Sequence, residues 1–163
     1  DFSDEEEAEA WEGDQENEEF DFIAALKSAH LGNIDYTLRP ADLDSSKGEL
    51  HLAGYDIGDL RGLEFCCNIT FLDLSDNNID NIHEVQSLGY LKELYLSGNN
   101  ISDIGPLHDL TNLEILDLSD NDIENIDILL DLENLNFVNL RGNPVENTPA
   151  IPHLENRGVI VLK

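Results

Sequence analysis

The sequence repeats itself with a period of 22 residues, and this period constrains the fold more than any other feature. Pairs of apolar residues one position apart recur at that spacing: Leu72 and Leu74, Leu94 and Leu96, Leu116 and Leu118, Val138 and Leu140. The same step reaches back to Leu50 and Leu52 and forward to Ile160 and Leu162. A register kept over about five turns indicates a solenoid, in which each repeat adds one turn to a shared core.

The alternation inside each apolar pair predicts a short strand at the same place in every turn. Successive side chains of a strand point to opposite faces, so Leu94 and Leu96 face the core while Glu93, Tyr95 and Ser97 face outward. Elsewhere in each repeat Ile, Leu or Val returns at every third position, which favours extended or 3₁₀ segments over long helices. We predict an α/β solenoid whose six parallel strands form a sheet roughly 24 Å wide.

An asparagine follows most of these strands at the point where the chain leaves the sheet: Asn77, Asn99, Asn121 and Asn143, with Tyr55 in that place in the first repeat. A buried amide at such a turn can bond backbone groups of its own turn and of the next repeat. We interpret this column as a structural ladder. The Ser-Asp-Asn sequences at 75–77 and 119–121 are interpreted as turns as well, because no calcium loop of EF-hand spacing accompanies them.

The outward positions of the strands are the residues that the fold does not dictate, so they are the candidates for binding. They form three columns: Glu49, Phe71, Glu93, Ile115, Phe137 and Val159; His51, Asp73, Tyr95, Asp117, Asn139 and Val161; Ala53, Ser75, Ser97, Ser119, Arg141 and Lys163. Clustered exposed aromatic side chains favour an interface, because each can bury a large area at little cost in entropy. The alternative is that they support one another across the strands.

The sequence therefore predicts a partner-binding surface made of Phe71, Asp73, Glu93, Tyr95, Ile115, Asp117, Phe137, Asn139 and Arg141. Asp73 and Asp117 lie two strands apart, roughly 9–10 Å, which is too far for both to chelate one ion. They are expected to meet Lys or Arg of a partner or to remain solvated.

The chain is strongly acidic, with 36 Asp and Glu, eight Lys and Arg, and a formal net charge of −28. Twelve of the acids lie in residues 1–22, which contain no Lys or Arg. Such a surface repels phosphate backbones and disfavours anionic membranes, and no apolar run approaches the roughly 20 residues of a membrane-spanning helix. The negative charge fits a protein partner, and one version of this hypothesis gives that partner a basic patch. The oligomeric state is left open.

The composition and pattern divide the chain into two parts. Residues 1–20 have low complexity and are predicted to be a disordered acidic tail. Residues 21–163 are predicted to form a single repeat domain, with a cap helix at 21–31, an irregular connector at 33–49 and repeats over about 50–163. At the other end Pro149 and Pro152 are expected to stiffen the last turn, and Arg157 and Lys163 to act as polar edge residues.

These motifs resemble the leucine-rich repeats of secreted, internalin-like bacterial proteins. The resemblance is carried by the helix at 21–31, the lead-in Ile57–Glu64, the segment Asn68–Ile79 and the ending at 151–163, and it covers about residues 20–163. It implies a right-handed arch with the strands on the concave face and 3₁₀ or extended segments on the convex side. It also implies a protein-interaction module located outside the cell or on its surface.

Catalytic and metal-binding patterns are not apparent in the sequence. It holds no Ser/His/Asp arrangement, no phosphate-binding glycine loop and no His/Cys metal spacing, so we expect a non-catalytic protein without cofactor or metal. Cys66 occupies an apolar column and is expected to be buried, while its neighbour Cys67 is expected to be more exposed.

Two other functions remain open. The 22-residue period also resembles the short repeats of phosphatase-regulatory and axonemal proteins, which would make the chain an intracellular, cytoplasmic regulatory subunit. It could also be a structural subunit of a larger assembly, docked through the acidic tail or the sheet.

Overall fold

The computed structural model describes residues 21–31 and 48–163. Six strands of three residues each form one parallel sheet in chain order: β1 (Glu49–His51), β2 (Phe71–Asp73), β3 (Glu93–Tyr95), β4 (Ile115–Asp117), β5 (Phe137–Asn139) and β6 (Ile160–Leu162). One 3₁₀ segment lies between each pair of consecutive strands from β1 to β5: Leu63–Phe65, His83–Ser87, Gly105–Asp109 and Asp127–Asp131. The predicted solenoid of short parallel strands and 3₁₀ turns is therefore confirmed.

The core is the set of columns that the period predicts. The central residues of β1 to β5, which are Leu50, Leu72, Leu94, Leu116 and Val138, are fully buried. Because neighbouring strands are paired residue for residue at a spacing of 22, each apolar column stacks on itself and excludes water along the solenoid. No helix in the described part of the chain has the length and apolar character needed to cross a membrane.

A helical segment covers the first repeat, at the residues for which the sequence predicts a cap. Helix α1 (Asp21–Leu26) continues into a π-helical turn at Lys27–Leu31. Phe22 is fully buried, and its backbone N–H donates to the carbonyl of Asp59 at 3.2 Å. A Cβ at Gly62 would come within 2.6 Å of Ile23, so the close approach of the helix requires glycine there. The predicted tail 1–20 and residues 32–47 of the connector region lie outside the described residues.

The last repeat differs from the expectation of a proline-stiffened turn. An α-helix, α2 (Ala150–Asn156), occupies the place of a 3₁₀ segment, with Ala150 and Leu154 buried on one side. Pro152 lies in the first turn of this helix, where its missing N–H costs no intrahelical bond. Ala150 and Leu154 form the apolar i, i+4 pair that is typical of a helix, but the three nearby prolines favoured a turn in the prediction.

The sixth strand is shifted by one residue from the predicted register. Phe137 pairs with Ile160 and Val138 with Val161, a spacing of 23 instead of 22. An α-helix rises about 1.5 Å per residue and a 3₁₀ helix about 2.0 Å, so the helical turn needs more residues to span the same distance. Ile160 is therefore exposed and Val159 buried, and the prediction that Val159 and Val161 point outward is wrong.

The two predicted edge residues have other roles in the structure. The guanidinium of Arg157 donates to the carbonyls of Leu130 and Leu132, both at 2.7 Å, and so ties α2 to the preceding repeat. The ammonium of Lys163 lies 3.2 Å from a carboxylate oxygen of Glu155 in α2. That the two side chains also discourage further strand pairing stays a prediction.

Candidate binding face

The outward side chains of the six strands form one surface, here called the strand face. With the register of β6 corrected, its first column is Glu49, Phe71, Glu93, Ile115, Phe137 and Ile160, and its second is His51, Asp73, Tyr95, Asp117, Asn139 and Leu162. A third column, Ala53, Ser75, Ser97, Ser119 and Arg141, follows the strands. All nine residues of the predicted binding surface thus lie on one face, and whether they bind a partner stays a prediction.

The first three strands of this face carry one aromatic ring each, and these rings alternate between the second and the first column. The rings of His51 and Phe71 have centroids 4.6 Å apart, and those of Phe71 and Tyr95 have centroids 5.4 Å apart, both tilted. Phe71 and Tyr95 are half-buried by these contacts. The rings therefore do pack against one another across the strands, which is the alternative that the sequence left open. Both rings nevertheless keep solvent-exposed surface.

Carboxylates surround Tyr95 from its own strand and from the two neighbouring strands. Its hydroxyl donates to Glu93 at 3.0 Å, and Asp73 and Asp117 occupy the adjacent positions of its own column. Partial burial raises the pKa of Tyr95, and the nearby charges of Glu93, Asp117 and Asp73 raise it further. The phenol consequently stays protonated as a donor, within a field of negative charge.

The three carboxylates have polar partners but no salt bridge to Lys or Arg among the described residues. Asp117 accepts from the backbone N–H and the hydroxyl of Ser119, at 2.9 and 2.7 Å, and from the amide of Asn139 at 3.3 Å. Asp73 accepts from the backbone N–H of Ser75 at 3.0 Å. These bonds fix the carboxylates in place while leaving the negative charge of the face uncompensated.

The other half of the strand face has a different chemistry. Ile115, Phe137 and Ile160 are successive members of the first column on β4, β5 and β6, and Ile160 has 61% of its surface exposed. Arg141 is the basic residue of the third column, because Lys163 falls out of that column in the shifted register. Sequence reasoning missed Ile160, since the run Val159–Leu162 is apolar throughout and shows no alternation.

The asparagine column bonds the backbone of two repeats. The side-chain oxygen of Asn99 accepts from the N–H of Ile79 at 3.0 Å, and its amide donates to the carbonyls of Leu74 and Leu96 at 3.0 and 3.1 Å. Asn77, Asn121 and Asn143 repeat this pattern. Each asparagine thus bonds the preceding repeat, so the prediction of a bond to the next repeat is wrong.

The two cysteines are free thiols in different surroundings. Cys66 is buried in its apolar column, and burial raises the pKa of its thiol to about 12, with smaller contributions from Cys67 and Glu64. Cys67 is exposed. Cys66 is thus a small core residue and not a nucleophile.

Sites for small ligands are poorly developed in the described ranges. No group of three His, Cys, Asp or Glu side chains there could hold a metal ion. A shallow, open cleft on the 3₁₀ side is lined by Asp103, Asp127 and Asp131 together with Ile104 and Ile128. It lacks the enclosure that small-molecule sites have.

Comparison with known proteins agrees with this architecture. Residues 91–127 match the family model described as leucine-rich repeats (2 copies), and residues 65–82 match the model of a single leucine-rich repeat. These two stretches of the chain therefore match leucine-rich repeats, and the fold is that of a leucine-rich repeat solenoid. No curated protein matches the sequence.

Solved structures narrow the resemblance further. The structure is similar to that of an internalin from Listeria monocytogenes, with a TM-score of 0.65 and 22% identity over 80% of this chain and 45% of the internalin. It is also similar to a leucine-rich repeat protein from Leptospira interrogans, with a TM-score of 0.55 and 23% identity over 69% of this chain and 36% of that one. The fold is thus internalin-like, and the chain spans less than half the length of either protein.

Proposed function

We propose that this protein is a non-catalytic module that binds a protein partner on the strand face, the concave side of a leucine-rich repeat arch. The single observation that carries the proposal is the set of half-buried and exposed apolar side chains on the strand face, namely Phe71, Tyr95, Ile115, Phe137, Ile160 and Leu162. Leucine-rich repeat domains generally act as protein-interaction modules, and solenoids offer extended concave surfaces for this purpose.

The strand face suits a protein more than a small molecule. It has no enclosed pocket, and its apolar groups are spread over five strands, so each contacts a different part of any ligand. Six strands span about 24 Å, which is the scale of a protein–protein contact. Buried aromatic residues commonly dominate the binding energy of such contacts.

The proposal is tested by affinity capture from the native source with the Tyr95→Ala/Phe137→Ala double variant. Removing both rings should weaken partner binding by up to about a thousandfold, because hot-spot residues of this kind typically contribute about 2 kcal/mol, or about thirtyfold, each. Circular dichroism should be unchanged, since both side chains lie outside the buried core.

The matched control is Tyr90→Ala. Tyr90 is 64% exposed and lies in the turn after a 3₁₀ segment, away from the strand face, so its loss should leave capture intact. Undiminished capture by the double variant would refute binding on the strand face.

We also propose that the protein acts outside the cell or on the surface of a bacterium. The similarity to an internalin supports this location. Immunodetection on intact cells, compared with lysed cells, tests it: signal confined to lysed cells would favour the cytoplasmic alternative.

A further inference from the structure

The strand face is divided chemically along the solenoid axis. Its acidic residues are on the first four strands: Glu49, Asp73, Glu93 and Asp117. On β5 and β6 the outward residues are Phe137, Asn139, Ile160 and Leu162, and the basic Arg141 follows β5. A partner therefore meets negative charge at one end of the face and apolar surface beside a positive charge at the other.

The acidic end offers two kinds of attraction to a cation at one point. The exposed parts of the Phe71 and Tyr95 rings can accept a cation over their faces, as guanidinium and ammonium groups do on aromatic residues. Asp73, Glu93 and Asp117 surround the same ring and lack salt-bridge partners among the described residues. A metal ion is a poorer fit, because the described residues hold no group of metal-ligand spacing.

The apolar end disfavours a cation and favours contact with a large apolar side chain. Phe137 and Ile160 are direct neighbours in the first column, and Ile160 has 61% of its surface exposed. Arg141 follows the same strand as Phe137, and its positive charge disfavours a second cation at this end of the face. The two ends thus select different groups of a partner.

We infer that the occupant of the strand face is a protein segment carrying one Lys or Arg a few residues away from a large apolar side chain. The cation lies over Tyr95 and between its carboxylates, and the apolar group covers Phe137 and Ile160. Tyr95 is on β3 and Ile160 on β6, three strands or about 14 Å apart, and Phe137 is about 10 Å away. An extended segment spans that distance in about three or four residues. This inference rests on the proposed function and adds the chemistry and direction of the partner.

The inference is tested with two synthetic ten-residue peptides of identical composition, each with one Arg and one Phe among Gly and Ser. In the first peptide the Phe lies four residues after the Arg, and in the second the two are adjacent. Fluorescence anisotropy at 150 mM salt should show at least a fivefold tighter complex for the spaced peptide. Equal affinities for the two peptides would overturn the inference.

Charge variants separate a specific cation site from general attraction to an acidic protein. Asp73→Asn/Glu93→Gln should weaken binding of the spaced peptide about tenfold, as expected for the loss of close charge pairs at an interface. The matched control is Asp127→Asn/Asp131→Asn on the 3₁₀ side, which removes the same net charge and should change affinity less than twofold. Equal losses in the two double variants would show general attraction only and would contradict the inference.

The native partner distinguishes this inference from the proposed function. If Tyr95→Ala/Phe137→Ala abolishes capture but Asp73→Asn/Glu93→Gln leaves it unchanged, the strand face binds a partner without the cation, and only this inference fails. If the aromatic double variant captures normally, the proposed function fails first.

Discussion

The turn that leaves each strand places one residue per repeat in the left-handed region of the backbone. That column reads Gly54, Asp76, Gly98, Asp120 and Gly142, with φ between 53° and 73°. Glycine and aspartate alternate for a steric reason: a Cβ at Gly98 would overlap the carboxylate of Asp76, and one at Gly142 would overlap that of Asp120. The crowding is thus confined to the repeat that follows each aspartate, because Gly54, which precedes Asp76, has open space around it.

The substitution Gly98→Ala tests this steric rule. It should lower the free energy of unfolding by about 2 kcal/mol, through the left-handed conformation and the contact with Asp76. Gly54→Ala is the matched control, since Gly54 has a φ of 73° but open space around it and should cost only about 1 kcal/mol. Urea unfolding measures both, and equal losses would show that the contact with Asp76 is unimportant.

Among the elements, the C-terminal helix departs furthest from the repeat pattern. Helix α2 replaces a 3₁₀ turn, shifts β6 by one residue and thereby exposes Ile160 on the strand face. Arg157 follows this helix, and its guanidinium bonds two carbonyls at the end of the preceding 3₁₀ segment. The helix is therefore positioned by a charged side chain as well as by buried Ala150 and Leu154.

Replacement of Arg157 should loosen the last repeat selectively. Arg157→Ala removes two charge-assisted hydrogen bonds at an exposed site, and we expect a loss of about 1 kcal/mol in unfolding free energy. Arg157→Lys should restore little of this free energy relative to alanine, because one ammonium cannot make both hydrogen bonds of the planar guanidinium. Hydrogen exchange should quicken first in β6, and Arg141→Ala, at another exposed arginine, should have no such effect. Unchanged exchange in Arg157→Ala would contradict this role.

The whole molecule has an excess of negative charge that its few cations do not offset. Salt bridges of Lys and Arg among the described residues include Arg61–Asp59, Lys92–Glu114 and Lys163–Glu155, and these lie at the surface. With a net charge of −28, repulsion between carboxylates opposes the compact state more than these pairs support it.

Salt should therefore stabilise the protein instead of weakening it. Raising NaCl from 20 to 300 mM shortens the Debye length to well below 10 Å and should increase the unfolding free energy by roughly 1–2 kcal/mol. Urea, being uncharged, is the appropriate denaturant. A variant with exposed Asp80→Asn, Glu124→Gln and Glu133→Gln should depend less on salt. Stability that falls with salt would mean that the surface pairs dominate.

Most of the fold could be predicted from the sequence because each repeat buries the same columns. Leu94 and Leu96 must face a core shared with the repeats on either side, and burial of the whole column follows from one period. The candidate site follows from the same pattern, since Tyr95 and Asp117 alternate with buried residues. The alternation identifies the residues of the strand face but carries no information about which groups they contact.

The 22-residue period by itself determined the solenoid, its parallel sheet and the residues that point away from the core, because a repeated pattern allows one way of burying them all. Only the tertiary structure decided where the period breaks. An α-helix and a 3₁₀ turn advance by different lengths per residue, so the register of β6 depends on how the last turn packs against Leu130 and Leu132. The diagonal contact of Phe71 with Tyr95 likewise depends on side-chain orientation between strands. These two features give the strand face its unequal halves.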